Sequence, residues 1–356
     1  MQKCRSGRAL LAWLVLVAAC GPREVQGPIR LEKIGKVSGP VGEDGFEGLA
    51  MLSPRFTDGE RVAFIPWQAG TPPVFRVRPD GTVRDTLATR GQGPGEVEHP
   101  IWVIRGLGDT ILVVDVGRIH FFGPDRRYVR SIPSTVGGVL SAFQHPNGEI
   151  VLSNGSVGGR QSVIDAISPV DGSERWSIAS RSDGGQGPSD NRFVALAPDG
   201  TIWAVRMWGT YELQQYSPEG KLLRTVMPTV DWFPPYERHT DYARPSRPNT
   251  AVSGFWVDSL DRAWVVAQAA DPKWASAEGE VKQGEGGYEY FEPKSETAVR
   301  DGIIDVVDLT TGRSIATYRR DARFGVVADP GVLFEWRFTS DGWSQLDLYQ
   351  VSLRSP

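Results

Sequence analysis

The stretch VFRVRPDGTVRDTL, residues 74–87, places two short apolar and β-branched runs on either side of Asp80-Gly81. An Asp-Gly pair between two such runs predicts a β-hairpin. Three further acidic turns follow at Asp125-Arg126, Asp171-Gly172 and Glu219-Gly220, at steps of 45, 46 and 48 residues. A period of about 40–50 residues built from hairpins predicts a radial array of four-stranded blades.

Six blades can be counted along residues 29–356, and the last of them has one strand too few. Its predicted strands are Phe324–Ala328, Val332–Phe338 and Leu346–Leu353, whereas a spare strand, Ile29–Val37, precedes the first blade. Adding the spare strand to the outer edge of blade six closes the ring and covers an otherwise open sheet edge. The sequence therefore predicts an all-β, six-bladed β-propeller of four-stranded antiparallel blades, with the ring closed by the N-terminal strand.

The N-terminal residues have the pattern of a bacterial export signal. Three cations within residues 1–8 precede an apolar run over residues 9–19. This run is shorter than the ~20 residues of a transmembrane helix and is typical of a signal peptide. Val17-Ala18-Ala19-Cys20 resembles a lipobox, and the resemblance implies cleavage before Cys20 and acylation of that cysteine. An ordinary signal peptide that contains a cysteine is the alternative.

These features divide the chain into three parts. We predict a lipoprotein signal peptide over residues 1–19, a lipidated linker over 20–28 and the propeller over 29–356. The protein would be extracytoplasmic and attached to a bacterial envelope membrane by its N-terminal lipid only, because several acyl chains give stable anchoring. Gly21 follows Cys20, so the aspartate that marks inner-membrane retention in enteric bacteria is absent, which favours the outer membrane.

Cysteine content and charge exclude several classes of function. The chain has two cysteines, Cys4 in the predicted signal and Cys20 at the lipidation site, so the propeller itself would contain no thiol nucleophile or thiolate metal ligand. The formal net charge is −4 and becomes −7 without residues 1–19, which hold three cations and no acid. Nucleic-acid binding is not expected, because no basic stripe interleaved with aromatic residues is present.

One blade carries a recognisable repeat. Residues 90–100 read RGQGPGEVEHP, followed by Val113-Val114-Asp115 and by IHFFGPD over 119–125. This region resembles an NHL repeat, and the chain as a whole is similar to bacterial six-bladed NHL-type propeller lipoproteins. The motif GQGP recurs at 185–188, two blades later. We interpret these glycine-rich segments as connectors between blades, because no helix follows them to present its N-terminus to a phosphate.

Two insertions are predicted on one face of the ring. With the strands of each blade lettered A to D from the central channel outward, the loop-bearing face is the face that carries the B–C loops and the crossings between blades. Residues 227–250 form the crossing from blade four to blade five, and residues 269–302 form the B–C loop of blade five. Their aromatic and histidine residues are Trp232, Phe233, Tyr236, His239, Tyr242, Trp274, Tyr288, Tyr290 and Phe291.

Three interpretations of these insertions are open. Aromatic residues on loops supply large contact areas at low entropic cost, which favours ligand binding. The same residues could instead fold down as a satellite core over blades four and five. Residues 275–287 could also be disordered, since they are rich in Gly, Glu and Lys.

Catalytic motifs are scarce. His99 lies in the NHL-like connector, His120 in the third strand of blade two and His145 beside an Asn-Gly turn, which leaves His239 as the histidine placed to meet a ligand. NHL-type amidating lyases hold zinc with histidines from separate blades, and the four histidines here do not form such a set. The sequence contains no Gly-x-Ser-x-Gly elbow, Walker loop or His-Glu-x-x-His motif.

A second resemblance concerns calcium-dependent lactonases, which are also six-bladed. The segment Phe46-Glu47-Gly48-Leu49 stands where these enzymes place a Glu-Gly-Pro, and Asn191 begins the inner strand of blade four. The resemblance implies that Glu47 and Asn191 could ligate Ca²⁺, which prefers oxygen ligands. Leu49 replaces the proline, however, and no equivalent of the catalytic aspartate is found. Pairing of Glu47 with a cation such as Arg192 is the structural alternative.

We therefore predict a binding or interaction module rather than an enzyme. Its ligand, a protein, peptide or glycan of the envelope, would lie on the loop-bearing face of a monomeric propeller. A calcium-dependent hydrolase or lactonase, a lyase and a passive envelope scaffold are the alternatives. No catalytic residue is assigned, and no cofactor is expected apart from Ca²⁺ under the hydrolase alternative. The candidate ligand-binding residues are Glu47, Asn191, Arg192, Trp232, Tyr236, His239, Trp274 and Tyr290.

Overall fold

The computed structural model describes most of the chain and all six blades. The described residues are 28–38, 51–53, 55–64, 74–134, 138–155, 162–180, 190–237, 246–284, 287, 289–326, 330–338 and 344–354. Within them, the chain forms six four-stranded antiparallel sheets and one two-stranded sheet. The predicted all-β, six-bladed propeller is confirmed.

Blades one to three follow each other along the chain after the N-terminal strand β1 (Ile29–Ser38). Blade one contains β2 (Met51–Leu52), β3 (Arg61–Phe64), β4 (Val74–Val77) and β5 (Val83–Ala88). Blade two contains β6 (Pro100–Arg105), β7 (Ile111–Asp115), β8 (Arg118–Phe122) and β9 (Tyr128–Pro133). Blade three contains β10 (Val139–Gln144), β11 (Ile150–Asn154), β12 (Ser162–Ile167) and β13 (Glu174–Ala179).

Blades four to six complete the ring. Blade four contains β14 (Arg192–Leu196), β15 (Ile202–Arg206), β16 (Leu213–Tyr216) and β17 (Leu222–Val226). Blade five contains β18 (Ala251–Val257), β19 (Arg262–Ala270), β22 (Arg300–Asp308) and β23 (Arg313–Arg320), and between β19 and β22 it carries a hairpin of β20 (Gly279–Gln283) and β21 (Glu289–Pro293). Blade six contains β24 (Arg323–Val326), β25 (Val332–Phe338) and β26 (Ser344–Leu353).

Short 3₁₀ turns lie between strands at Leu107–Asp109, Trp274–Ser276 and Glu296–Ala298. The last two flank the β20–β21 hairpin. No helix among the described residues is long and apolar enough to cross a membrane.

The N-terminal strand closes the ring, as the strand count predicts. Strand β1 is the outer strand of blade six, where it pairs antiparallel with β26 from Ile29 opposite Leu353 to Ser38 opposite Gln345. The chain thereby joins its two ends in one sheet by ladder hydrogen bonds. A bulge between Lys33 and Gly35 shifts the register once.

Apolar layers between neighbouring blades form the core. Six clusters of buried side chains join blades one and two, two and three, three and four, four and five, five and six, and six and one. The cluster between blades six and one, which includes Phe334 and Leu346 against Ala63 and Val77, completes the circle. Each blade therefore buries both faces.

Position within the blade decides the burial pattern of a strand. Strand β7, second in blade two, buries all five residues because a blade packs on each side of it. The outer strands β5 and β13 instead alternate between exposed and partly buried residues. The middle strands therefore appear in the sequence as continuous apolar runs, and the outer strands as alternating ones.

Candidate functional site

The centre of the ring contains a cavity of about 430 Å³, which we call the central cavity. The inner strands of blades two to six supply its wall, and its large side chains include Trp102, Phe143, Phe193, Phe255, Phe334 and Trp336. Its volume lies within the range of about 300–1,000 Å³ that is typical of small-ligand pockets, and such pockets are mostly apolar.

Two serines that line the central cavity already bond to the neighbouring blade. Ser141 Oγ accepts a 2.7 Å hydrogen bond from the backbone N–H of Val194, and Ser253 Oγ donates one of 3.0 Å to the carbonyl of Phe324. These bonds hold the inner strands of adjacent blades in register. They also leave the wall with a largely apolar character toward a ligand.

The β20–β21 hairpin, which we call the inserted hairpin, forms one side of a second cavity on the loop-bearing face. This cavity, the hairpin cleft, has a volume of about 590 Å³ and lies between Glu280 and Glu292 of the hairpin and Arg323 and Trp336 of blade six. The guanidinium of Arg323 lies 5.0 Å from the centre of the Trp336 ring. Because Trp336 lines both cavities, the hairpin cleft adjoins the central cavity.

A third cavity of about 290 Å³ extends the hairpin cleft toward blade four. Arg323 and Thr297 line both, and Trp208, Gln268 and Arg300 line its far side. Arg300 donates a 3.1 Å hydrogen bond to the carbonyl of Asn249, at the end of the first insertion. The loop-bearing face thus presents a connected set of recesses around the base of the inserted hairpin.

Ion pairs offset part of the acidic charge on the inserted hairpin. Lys282 forms ion pairs with Glu292 on the other strand, diagonally across the hairpin, and with Glu280 at 3.7 Å, and Lys294 pairs with Glu278 at 2.7 Å. The hydrogen bond to Glu292 raises the pKa of Lys282 above its ordinary value. The hairpin wall of the cleft is therefore polar but nearly balanced in charge.

Two aromatic residues in the described part of the first insertion pack as a satellite core. Strand β17 ends at Val226 and β18 begins at Ala251, and between them Trp232 and Phe233 are buried with Tyr211. The ring of Tyr211 stacks on Phe233 at 5.2 Å and meets Trp232 edge-on at 5.0 Å. Trp232 therefore stabilises the joint between blades four and five, whereas Tyr236 is exposed and could meet a ligand.

The second insertion contains ordered secondary structure. Strands β19 and β22 extend to Ala270 and from Arg300, so they take in the first and last residues of the predicted loop 269–302. Strand β20, Gly279–Gln283, lies within the segment for which disorder was one interpretation, and it pairs with β21. Trp274 and Tyr290 are both half-buried in this insertion.

The structure places Arg192 in the interior of blade four. Arg192 is 2 % exposed, and its guanidinium binds both carboxylate oxygens of Asp190, at 2.9 and 3.2 Å, and the hydroxyl of Tyr216 at 2.6 Å. Burial lowers the pKa of Arg192, but the bonds to Asp190 outweigh burial and raise the pKa above its ordinary value. The N–H groups of Arg192 are thus used in hydrogen bonds within blade four. The backbone carbonyl of the neighbouring Asn191 accepts a 2.8 Å hydrogen bond from the N–H of Met207.

His120 and His145 pack into the blades. Buried His120 lies 3.6 Å from Asp115, and His145 bonds the carbonyl of Gly200 in the next blade at 2.9 Å. Asp115 also accepts hydrogen bonds of 2.9 and 2.6 Å from the backbone of Glu98 and His99. Burial raises the pKa of Asp115, but the nearby His120 ring and the hydrogen bonds from these backbone groups together outweigh burial and lower the pKa.

The glycine-rich segment at 90–100 runs between β5 and β6. The carboxylate of Glu96 accepts a 2.8 Å hydrogen bond from the backbone of Gly93, and the N–H of Gly91 bonds the carbonyl of Val97 at 3.1 Å. These bonds, together with those from Glu98 and His99 to Asp115, hold it as a connector from one blade to the next. Three candidates, Glu47, His239 and the lipidation residue Cys20, lie outside the described residues, as does the repeat of the motif at 185–188.

Sequence reasoning missed the residues that line the central cavity. Trp102, Phe334 and Trp336 occupy strands whose apolar patterns predict only core packing. The signal that could have identified them is their position on inner strands or next to them. Side chains there face both a neighbouring blade and the channel.

Comparisons with known proteins support the fold. No protein-family model matches the sequence, and no curated protein matches it. The structure is similar to a member of the DUF4221 family from Bacteroides vulgatus, with a TM-score of 0.58, 10% sequence identity, and coverage of 91% of this chain and 99% of that chain. It is also similar to a putative exported protein from Bacteroides fragilis, with a TM-score of 0.53, 9% identity, and coverage of 92% and 96%. The chain is thus a six-bladed β-propeller, and at these identities the likeness extends to the fold alone.

Proposed function

We propose that this chain is an exported interaction module that binds an apolar side chain, or a short apolar segment, of a polypeptide partner in the central cavity. The observation that carries the proposal is an apolar cavity of about 430 Å³ that adjoins the hairpin cleft on the loop-bearing face. Burial of apolar surface in such a cavity provides binding free energy of about 25 cal/mol per Å² of surface removed from water.

The chemistry of the cavity wall favours a peptide over a glycan. A glycan buries many hydroxyl groups, and each needs a hydrogen-bond partner to offset the loss of water. Ser141 and Ser253 of the wall are already bonded to neighbouring blades. Aromatic wall residues such as Trp336 instead suit the apolar side chains of a protein partner.

The rim of the cavity would hold the polar part of the ligand. Arg323 and Arg300 lie in the recesses beside the inserted hairpin, where they could pair with a carboxylate or backbone carbonyl of a bound peptide. The closed ring fixes the inner strands and therefore the cavity wall. Little conformational entropy would be lost on binding.

Export and lipid anchoring complete the proposal. The signal-like residues 1–19 and the lipobox-like Val17-Ala18-Ala19-Cys20 support an extracytoplasmic, lipid-anchored protein. The similar fold of a putative exported protein from Bacteroides fragilis agrees with this location. The hydrogen-bonded connector at 90–100 supports an NHL-type repeat in blade two.

Peptide display on the full chain tests the proposed function. A peptide library is selected against the protein, and the affinities of the selected peptides are measured for the wild type and for Trp336→Ala. We expect apolar or aromatic consensus peptides and an affinity loss of roughly 30-fold or more, which corresponds to a binding hot spot. Trp176→Ala is the matched control, because Trp176 is also half-buried but lies on the outer strand β13.

Three outcomes would contradict this function. Selected peptides that bind Trp336→Ala as tightly as wild type would place the binding surface elsewhere. A selection that yields no binder above background would favour the passive scaffold. Equal losses for Trp336→Ala and Trp176→Ala would indicate a general effect on stability rather than a role for the cavity.

A further inference from the structure

Three aspartates come together where three adjacent strands of blade five meet the loop-bearing face. Asp271 follows the end of β19, Asp301 is the second residue of β22, and Asp321 follows the end of β23. In the sheet, Ala269 lies opposite Asp301 and Arg320 lies opposite Gly302, so strand pairing itself sets the three carboxyl groups side by side. They line a cleft of about 710 Å³ at the foot of the insertion.

The carboxyl groups are close enough to share one ion. One carboxylate oxygen from each aspartate lies within 4.8 Å of the others. Among the described residues, no other group of three acidic, histidine or cysteine side chains has this spacing. Asp321 is exposed, Asp271 is half-buried and Asp301 is 3 % exposed. The group therefore runs from the solvent into the base of blade five.

Asp301 has an oxygen that the described protein leaves without a partner. Its Oδ2 accepts a 2.6 Å hydrogen bond from Nε of Arg319, whereas Oδ1 is buried and has no hydrogen-bond donor among the described residues. A buried carboxylate oxygen without a donor or a cation is destabilising, because it has lost its hydrogen bonds to water without replacing them. This orphaned oxygen is an indication of a ligand that is independent of the clustering of the acids.

The charge immediately around the three aspartates is negative, although the cleft lining as a whole is balanced. The three carboxylates and the guanidinium of Arg319, which bonds Asp301, sum to a formal charge of −2, which one divalent ion would neutralise. Among the other cations of the cleft, Arg320 pairs with Glu335 and Lys294 pairs with Glu278, while Lys273 is exposed at the rim.

The pKa of the Asp301 carboxyl group is raised by its surroundings. Burial raises the pKa of Asp301 to about 6, despite the lowering effect of Arg319 and with a further increase from Asp321 and Asp271. Like charges crowded into one site disfavour ionisation in the absence of a compensating positive charge.

We propose that Asp271, Asp301 and Asp321 bind a calcium ion at the foot of the blade-five insertion. Carboxylate oxygens are hard ligands and suit Ca²⁺ or Mg²⁺. Two oxygens on one Ca²⁺ can be up to about 5.2 Å apart, given Ca–O distances of about 2.3–2.6 Å, whereas two on one Mg²⁺ are at most about 4.2 Å apart. The three oxygens lie within 4.8 Å of one another, so small side-chain adjustments bring them onto one Ca²⁺, whose longer metal–oxygen distances demand less movement than those of Mg²⁺. Water would fill the coordination positions on the side of Asp321.

The position of the ion defines its role. Asp271 is the first residue of the insertion after β19, and its N–H bonds the carbonyl of Val299 at the other end of the insertion at 2.9 Å. Asp321 belongs to the crossing into blade six. The ion therefore ties both ends of the insertion to the next blade and fixes the base from which the inserted hairpin extends. This role is separate from ligand binding in the central cavity.

Calorimetric titration of the full chain tests the site. The protein is treated with chelator, dialysed and titrated with Ca²⁺, and its thermal midpoint is measured with Ca²⁺ and with chelator. We expect one Ca²⁺ per chain, with a dissociation constant on the order of 10⁻³ M or tighter as in extracellular modules, and a rise of several degrees in the midpoint. Asp321→Asn, at an exposed position where folding is not at risk, should lose the binding heat and the rise.

Asp308→Asn is the matched control. Asp308 is the last residue of the same strand β22, far from the cluster, and an asparagine there can still accept the bonds from Thr310 and Thr311. Its titration should equal that of the wild type. Asp301→Asn should also lose binding while retaining a cooperative transition.

Specific results would overturn the site. Absence of binding heat and of a midpoint shift in the wild type would show that the carboxyl groups are held by Arg319 and protonation alone. Tighter binding of Mg²⁺ than of Ca²⁺ would refute the calcium assignment. Unchanged binding in Asp321→Asn, or equal loss in Asp308→Asn, would place the ion elsewhere.

Discussion

The hydroxyl of Tyr211 donates a 2.8 Å hydrogen bond to Oδ2 of Asp305, across the boundary between blade four and blade five. Asp305 is fully buried on β22, and its other oxygen accepts bonds from Ser314 and Thr317 at 2.6 and 2.7 Å. The ring of Tyr211 also stacks on Phe233 of the first insertion. One side chain therefore couples two blades and the crossing that connects them.

Tyr211→Phe should destabilise the propeller by about 1.5–3 kcal/mol, because it removes a hydrogen-bond donor from a buried carboxyl group while keeping the ring. The free energy of unfolding is measured by chemical denaturation. Tyr128→Phe is the control, since the Tyr128 hydroxyl makes a 3.3 Å bond to Ser131 at an exposed position and its loss should stay within about 0.5 kcal/mol. Equal effects would mean that the bond to Asp305 contributes nothing specific.

Ile29→Ala tests ring closure by the N-terminal strand. Ile29 is 3 % exposed and packs in the core between blades five and six with Trp256 and Val351, so truncation should cost about 2–5 kcal/mol. Ile34→Ala on the same strand is the control, because Ile34 is 38 % exposed and its truncation should change stability by at most about 0.5 kcal/mol.

Deletion of residues 29–37 is the stronger form of the same test. It should lower the thermal midpoint of the whole ring, since β26 loses its pairing partner. An unchanged midpoint after the deletion would contradict the role of β1.

Gly172→Ala tests the close approach of two blades at a hairpin turn. The backbone at Gly172 has φ +76°, and an added Cβ would lie 2.1 Å from the carbonyl oxygen of Pro133 in blade two. Gly200→Ala shares the strain, with φ +84°, but its Cβ would have no described atom within 4 Å. We expect about 1 kcal/mol of destabilisation for Gly200→Ala and about 1–3 kcal/mol more for Gly172→Ala. Equal denaturation midpoints for the two variants would show that blade two moves away from the added methyl group without loss of stability.

Asp258→Asn should produce a pH-dependent loss of stability. The Asp258 carboxylate accepts bonds of 2.8 Å from both the Arg262 side chain and the Trp264 indole. Burial raises the pKa of Asp258, but these bonds outweigh burial and lower the pKa. The stabilisation is therefore complete above the unfolded pKa of about 3.9 and is lost as the pH falls through the lower folded pKa.

The difference in unfolding free energy between wild type and Asp258→Asn should accordingly be about 1.5–3 kcal/mol at pH 7 and should shrink as the pH falls below about 4. Urea denaturation over a series of pH values measures it. Asp261→Asn, an exposed position in the same turn, should show no such trend. A difference that stays constant with pH would contradict the assignment.

Much of the fold could be predicted because its signals are local. In three turns an aspartate oxygen bonds the side chain and the N–H of the residue two positions later: Asp80 with Thr82, Asp171 with Ser173 and Asp199 with Thr201. For Asp171, these bonds lower the pKa to about 2. Such turns depend on neighbours in sequence, so the hairpins, the repeat and the strand that closes the ring follow from the residues themselves.

The candidate site could be predicted only in part. From the sequence, Trp232 and Tyr236 of the same insertion are equally good candidates for ligand binding. In the structure, however, Trp232 is buried and Tyr236 is exposed. Arg192 is of a residue type that is common in binding sites, but its side chain donates hydrogen bonds to Asp190 and Tyr216 inside blade four. The difference lies in packing distances between blades, which no local pattern encodes.

The sequence by itself thus determined the hairpin period, the number of blades and the use of a strand at Ile29–Val37 to close the ring, because turn chemistry and strand alternation act over a few residues. The tertiary structure alone decided which side chains face the central cavity and that Asp271, Asp301 and Asp321 converge. These groups are separated by 20 to 50 residues in the chain or lie in different blades. They meet only because strands pair within a blade and blades pack around an axis.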